Sequence, residues 1–169
     1  MRINIFIVVL CALGVNLNIW AQTCNDSIPY KKPNEQYIVN EDNTITDTET
    51  GLTWMKCSLG QTGEDCSGGS LLLYTWQDAL QAAEAHEYAN KSDWRLPNIA
   101  ELKTLTEKAC FLPAINETIF PLTSSSYYWS SSPVSNVLGD KTSSIVNFEH
   151  GTISSVVRTQ TAYVRLVRD

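Results

Sequence analysis

Four cysteines, Cys24, Cys57, Cys66 and Cys110, constrain this chain more than any other feature, because of where the sequence sends them. The chain opens with one positive charge, Arg2, followed by an apolar run from Ile5 to Val15. That run is shorter than the roughly 20 apolar residues that span a bilayer. A basic start, a short apolar stretch and the small residue Ala21 before a polar sequence read as a cleaved secretory signal over residues 1–21. Removing it takes away the fifth cysteine, Cys11, and leaves an even number for an oxidising compartment. Four cysteines allow three pairings. Cys57 and Cys66 flank a short, polar, Gly-containing loop and are paired here; Cys24–Cys110 then ties an N-terminal arm to the middle of the chain. Each bridge is worth about 2–4 kcal/mol, more for the longer loop. The competing reading, a metal site, needs closer ligand spacing than Cys57 and Cys66 offer, and His86 and His150 sit near neither.

The chain beyond the signal has the length of one ordinary domain, enough to bury a real core. No later stretch is long and apolar enough to cross a membrane. The chain carries 12 basic and 18 acidic residues, and removing residues 1–21 takes away only Arg2. Such an acidic domain is a poor partner for nucleic acid, whose phosphates need clustered Lys and Arg. The charge is uneven. Acidic residues dominate from Gln22 to Ser70, whereas Lys141, Arg158, Arg165 and Arg168 balance the acids of the C-terminal third. An anionic ligand is therefore expected on the C-terminal half.

Residues 22–36, with Pro29 and Pro33, read as an extended arm, and 37–169 as the domain proper. Tyr37 to Val39, Thr44 to Thr46 and Leu52 to Lys56 have strand composition, with a turn at residues 47–51. Thr75 opens a helix with Asp78 three residues on, and Trp76, Ala79, Leu80 and Ala83 form its apolar face. Asn98 opens a second helix with Glu101 in the reciprocal capping position; Ile99, Leu102, Leu105 and Ala109 line its inner side. The period then changes. Tyr127 to Ser131, Ser144 to Phe148 and Thr152 to Val156 read as strands, the last two joined as a hairpin through Glu149, His150 and Gly151. Tyr163 to Arg168 alternates, with Tyr163, Arg165 and Val167 on one face. Strands, two helices and more strands make an α+β order, not βαβ.

Five blocks in this order resemble a known family. They are residues 47–57 (Asp-Thr-Glu-Thr-Gly-Leu-Thr-Trp-Met-Lys-Cys), residues 75–80 (Thr-Trp-Gln-Asp-Ala-Leu), and residues 92–98 (Ser-Asp-Trp-Arg-Leu-Pro-Asn) running into Glu101 and Leu102. Residues 113–116 with Phe120-Pro121 and 128–133 form the fourth, and 164–168 the last. Together they resemble the DUF1566 family, the domain at the C-terminus of the Legionella collagen-like adhesin. The resemblance implies a C-type-lectin-like fold: a small twisted antiparallel sheet, two helices and a long loop region, with the termini pairing as neighbouring strands. It also implies a binding module of bacterial surfaces. The adhesin is trimeric and binds sulfated glycans; this chain has no Gly-X-Y tract to enforce trimers, and its acidity argues against polyanions.

The expected binding surface comprises Trp129, Ser131, Asn136, Lys141, Asn147 and Arg158. Trp129 has two readings, a ring that stacks on a sugar or a core aromatic. Trp94 reads as a core plug, and Arg95 as part of a structural network beside Asp93. For calcium, Asn136, Asp140, Asn147 and Glu149 supply oxygens, but the Glu-Pro-Asn and Trp-Asn-Asp signatures of calcium-dependent lectins are absent, so no cofactor is assigned. Serine-elbow, Walker and Rossmann motifs are missing too. The expectation is an exported module, extracellular, at the cell surface or in the periplasm, that is non-enzymatic, lectin-like or adhesive, with a glycan or protein partner. The alternatives are an enzyme acting on extracellular or cell-wall carbohydrate, and a structural subunit of an envelope assembly.

Overall fold

The computed structural model describes residues 21–134 and 141–169. The expected leader, Ala21 apart, and Asn136 and Asp140 lie outside the described residues. In chain order the elements are β1 (Thr23–Cys24), β2 (Tyr37–Val39), β3 (Thr44–Asp47), β4 (Thr53–Met55), β5 (Gln61–Thr62), β6 (Gly68–Gly69), α1 (Trp76–Glu84), α2 (Ile99–Thr104), β7 (Cys110–Phe111), β8 (Tyr127–Val134), β9 (Thr142–Asn147), β10 (Thr152–Val157) and β11 (Val167–Arg168). The class is α+β. One sheet has the order β11-β4-β3-β2, a second β10-β9-β8, and β1-β7 and β5-β6 are short ribbons; every pairing is antiparallel.

The helix starts follow from local chemistry. Asn98 Oδ1 accepts from Glu101 N (2.9 Å) while Glu101 Oε2 accepts from Asn98 N (2.7 Å), the reciprocal cap expected from the spacing. Thr75 caps α1 by accepting from Asp78 N at 3.3 Å. Arg95 then grips Glu101 with two bonds (2.8 and 3.0 Å) and Asp169 with a third, whereas Asp93 pairs with Arg168. Trp94 is buried, so this block of the sequence is structural, with Arg95 serving the α2 cap rather than its neighbour Asp93.

Two apolar clusters flank the three-stranded sheet. Tyr128 and Val146 face one, with Trp54, Leu102, Leu105 and Phe148. Trp129 and Ile145 face the other, with Ala79, Ala83, Trp94 and Leu96. Successive strand residues point to opposite faces, so β9 is covered on both.

Both expected disulfides are present, Cys24–Cys110 and Cys57–Cys66. The first closes a ribbon in which Cys24 lies opposite Cys110. The arm is held by more than sulfur: the fully buried Glu107 accepts from the backbone of Lys31 (2.8 Å), Lys32 (2.7 Å) and Ala109 (2.8 Å).

Two expectations fail in the C-terminal segment. The termini do not pair with each other. β11 lies against β4, β2 is at the opposite edge of that sheet, and β1 pairs with β7. Nor is Tyr163–Arg168 one alternating strand. Only Val167–Arg168 is strand, and Val164, Arg165, Leu166 and Val167 are all fully buried. The reason is that the segment runs between the sheets. Tyr163 exchanges backbone bonds with Tyr127 and Trp129, the Val164 carbonyl accepts from Leu59 N, Leu166 O accepts from Met55 N, and Val167 bonds both ways with Arg95.

That path buries Arg165. Its guanidinium donates to Met55 O (2.9 Å), to Lys56 O, to Ser58 Oγ (3.3 Å) and to Thr123 Oγ1 (2.8 Å), and lies 4.9 Å from the Phe120 ring centre. Desolvation pulls its pKa down to about 10, which still leaves it charged at neutral pH.

Candidate functional site

The described residues of the expected site fall in four places, and only two of them share one. Trp129 is completely buried, and its indole N–H donates to Tyr74 O at 2.8 Å. It has no face for a ligand and belongs to the core. The serines beside it serve helix α2. Ser131 N donates to Pro97 O (2.7 Å) and Ser132 Oγ accepts from Ile99 N (2.9 Å), where β8 bulges between Trp129 and Pro133. A side chain that meets an orphan N–H at a helix start substitutes for the missing turn. Ser131 lines a shallow groove with Leu80, Glu84, Arg95 and Asn98, away from Lys141 and Arg158. Asn147 sits at the other end of β9, roughly 17 Å along the strand at about 3.4 Å per residue. Its side chain accepts from Glu149 N (2.9 Å) and shapes the hairpin turn.

Lys141 and Arg158 do come together. The start of β9 and the end of β10 are neighbours, and Arg158 N donates to Lys141 O at 2.8 Å. Both residues line a cleft of about 550 Å³ with Thr75, Trp76, Gln77, Val157 and Thr159. Helix α1 supplies the opposite wall. Its first residue, Trp76, is docked by Trp76 N to Arg158 O (3.2 Å) and by the indole N–H to Ser130 O (2.8 Å).

The Arg158 guanidinium lies over the Trp76 ring, 4.1 Å from its centre. Its Nε donates to Thr142 O (3.1 Å) and Ser143 Oγ (2.9 Å). These contacts fix the plane of the fork, and its two Nη groups have no partner among the described residues. A cation stacked on an indole and held by its stem is preorganised for a planar oxyanion. Among the described residues no carboxylate lines the cleft, and Lys141 adds a second cation from the exposed start of β9. The cleft can therefore hold a polar or anionic group against an apolar wall.

Trp76, Thr75, Gln77, Val157 and Thr159 are the site residues that the sequence pattern does not reveal. Trp76 falls on the apolar face of α1 and reads as core. The signal that marks it is its place at the first helical position, where a large side chain stands at the rim of the bundle.

Among the described residues no group of three or more His, Cys, Asp or Glu side chains is arranged to hold a metal ion, and no helix is long and apolar enough to cross a membrane.

A chain with this α+β frame and a cation-lined cleft at one end of its sheet is a small disulfide-bonded domain, and comparison with known families places it. Residues 43–168 match the Lcl C-terminal domain family, so the chain belongs to that family. No curated protein matches it.

Proposed function

We propose that this domain is a non-enzymatic, lectin-like or adhesive binding module, exported to the periplasm, the cell surface or beyond, whose ligand is a glycan or a protein. The C-type-lectin-like arrangement implied by the sequence blocks is part of this reading, and the two disulfides are compatible with an oxidising compartment. No cofactor is assigned. The observation that carries the proposal is the Arg158–Trp76 stack with Lys141 beside it, since it offers a fixed oxyanion fork, a free ammonium and hydroxyl and amide groups in one cleft. Such a constellation supports a binding reading.

The test is a glycan array of neutral, carboxylated and sulfated sugars probed with the protein and with Arg158→Ala. The expected result is retention of a subset of the sugars by the wild type and loss of that subset in the variant, with calcium making no difference. Binding that is unaffected by Arg158→Ala moves the site elsewhere. Hydrolysis of any arrayed sugar, abolished by changing one carboxylate, replaces the module with an enzyme.

A further inference from the structure

The two larger sheets end in four edge strands, and three of these are protected against pairing with another chain. β11 is two residues long and carries Arg168. β2 is three residues long, with Glu35 on one side and Glu41 and Asp42 on the other. β8 carries Pro133 and a bulge. These are the usual devices: short length, charge, proline and irregularity. β10 has none of them. Its six residues, Thr-Ile-Ser-Ser-Val-Val, hold no charge and no proline, and the ladder to β9 is regular throughout. Ile153 is 52% exposed and Val157 38%.

The ladder also fixes which backbone groups are open. Arg158 N donates to Lys141 O, and an antiparallel ladder alternates bonded and non-bonded pairs. Val156, Ser154 and Thr152 therefore turn their N–H and C=O groups to β9. Ile153, Ser155 and Val157 turn theirs outward. The Val157 carbonyl accepts from Gln160 N at 3.0 Å and keeps its second lone pair. Among the described residues nothing else meets this edge.

We propose that the edge of β10 is a dimerisation surface that pairs, antiparallel, with β10 of a second copy of this chain. One register satisfies the outward groups of both copies. Ser155 lies opposite Ser155 of the other copy on the two-fold axis, and Ile153 lies opposite Val157 on each side of it. The exposed apolar side chains of the strand then meet across the new seam. Charge agrees with this direction. The turn end of the hairpin carries Glu149, and the other end carries Lys141 and Arg158. Antiparallel doubling sets each acidic end beside a basic one, and the pairing is closed, as two-fold contacts are. The strand itself is uncharged, so an acidic chain pairs here without setting like charges face to face. The result is one continuous six-stranded sheet with a cation-lined cleft at each side of the seam, which makes the binding module bivalent.

Sedimentation velocity on the mature chain and two engineered cysteines test the pairing. A bonded antiparallel pair brings its Cα atoms to about 5.5 Å, within disulfide reach. Ser155→Cys is expected to cross-link into a covalent dimer under mild oxidation, and Ser154→Cys, whose backbone faces β9, is expected not to. The wild type is expected to sediment as a dimer that dissociates on dilution. Ser155→Pro removes an outward N–H that β9 does not use, and should sediment as a monomer whose melting curve matches that of the wild type diluted to monomer. Should that variant not fold, the two cysteine variants decide between them. A wild type that is monomeric at every concentration, one that is trimeric, or equal cross-linking through positions 154 and 155 overturns the proposal.

Discussion

Strands β9 and β10 are neighbours in one hairpin and nearly the same in composition, Thr-Ser-Ser-Ile-Val-Asn against Thr-Ile-Ser-Ser-Val-Val. Yet five of the six residues of β9 are buried, and none of β10 is. Neither strand shows a simple alternation of apolar and polar residues that would announce this. What separates them is position. β9 lies between β8 and β10, with α2 against one face and the second cluster against the other. β10 has a neighbour on one side only. Burial here is a property of a residue's place in the sheet, and even the serines of β9 are satisfied by it. Ser144 O accepts from Ser130 Oγ at 2.7 Å, and Ser143 Oγ accepts from Arg158.

The contrast can be broken most directly at the core side of the sheet. Trp129→Ala is expected to cost about 3–5 kcal/mol in denaturant unfolding, as large aromatic truncations in a packed core do. A cost below about 1 kcal/mol would mean that the second cluster is not packed as described. Next comes the pair that poses the comparison itself. Ile145→Ala on β9 should cost about 2–5 kcal/mol, whereas Ile153→Ala on β10, measured at dilution, should stay within about 0.5 kcal/mol. Equal costs would erase the distinction between the strands. A smaller effect is expected where α2 covers β9: Asn98→Ala removes the side-chain half of the capping box, keeps the backbone N–H bond to Glu101, and should cost about 0.5–2 kcal/mol, read as a lowered melting temperature with glycan binding intact. The smallest is Lys141→Ala, an exposed residue at the start of β9. Its stability change should lie within about 0.5 kcal/mol, while affinity for the arrayed sugars falls and the difference shrinks with salt, because exposed charges are screened beyond about 8–10 Å.

Local chemistry is readable in the sequence. The caps at Thr75 and Asn98 need only a side chain and a backbone N–H three residues on, and both form as the spacing requires. The disulfides follow from cysteine number and loop length. Non-local burial is not readable. Arg165 sits in a pattern that alternates like a half-exposed strand, but four backbone and hydroxyl oxygens from distant parts of the chain converge on it, and no short-range pattern encodes them. The site is half legible for the same reason. Lys141 and Arg158 are brought together by a hairpin that the sequence announces. Trp76 is a neighbour of Arg158 only because α1 docks at the end of that hairpin, and Asn147 falls outside the cleft because strand length carries it away.

The route of residues 162–168 bears on the order in which the domain can be finished. These residues are synthesised after every partner they bond: Tyr74, Tyr127, Leu59, Met55 and Arg95 all precede them. While residues 162–168 are missing, β4 lacks its edge neighbour, Met55 and Lys56 lack the guanidinium that caps their carbonyls, and the two sheets lack the strip whose backbone bonds to both. A nascent chain therefore stays loose in this part of the domain until residues 162–168 have been made. The same dependence makes a chain interrupted just before residue 162 lose far more than a few residues, because it withdraws the strip that bonds to both sheets.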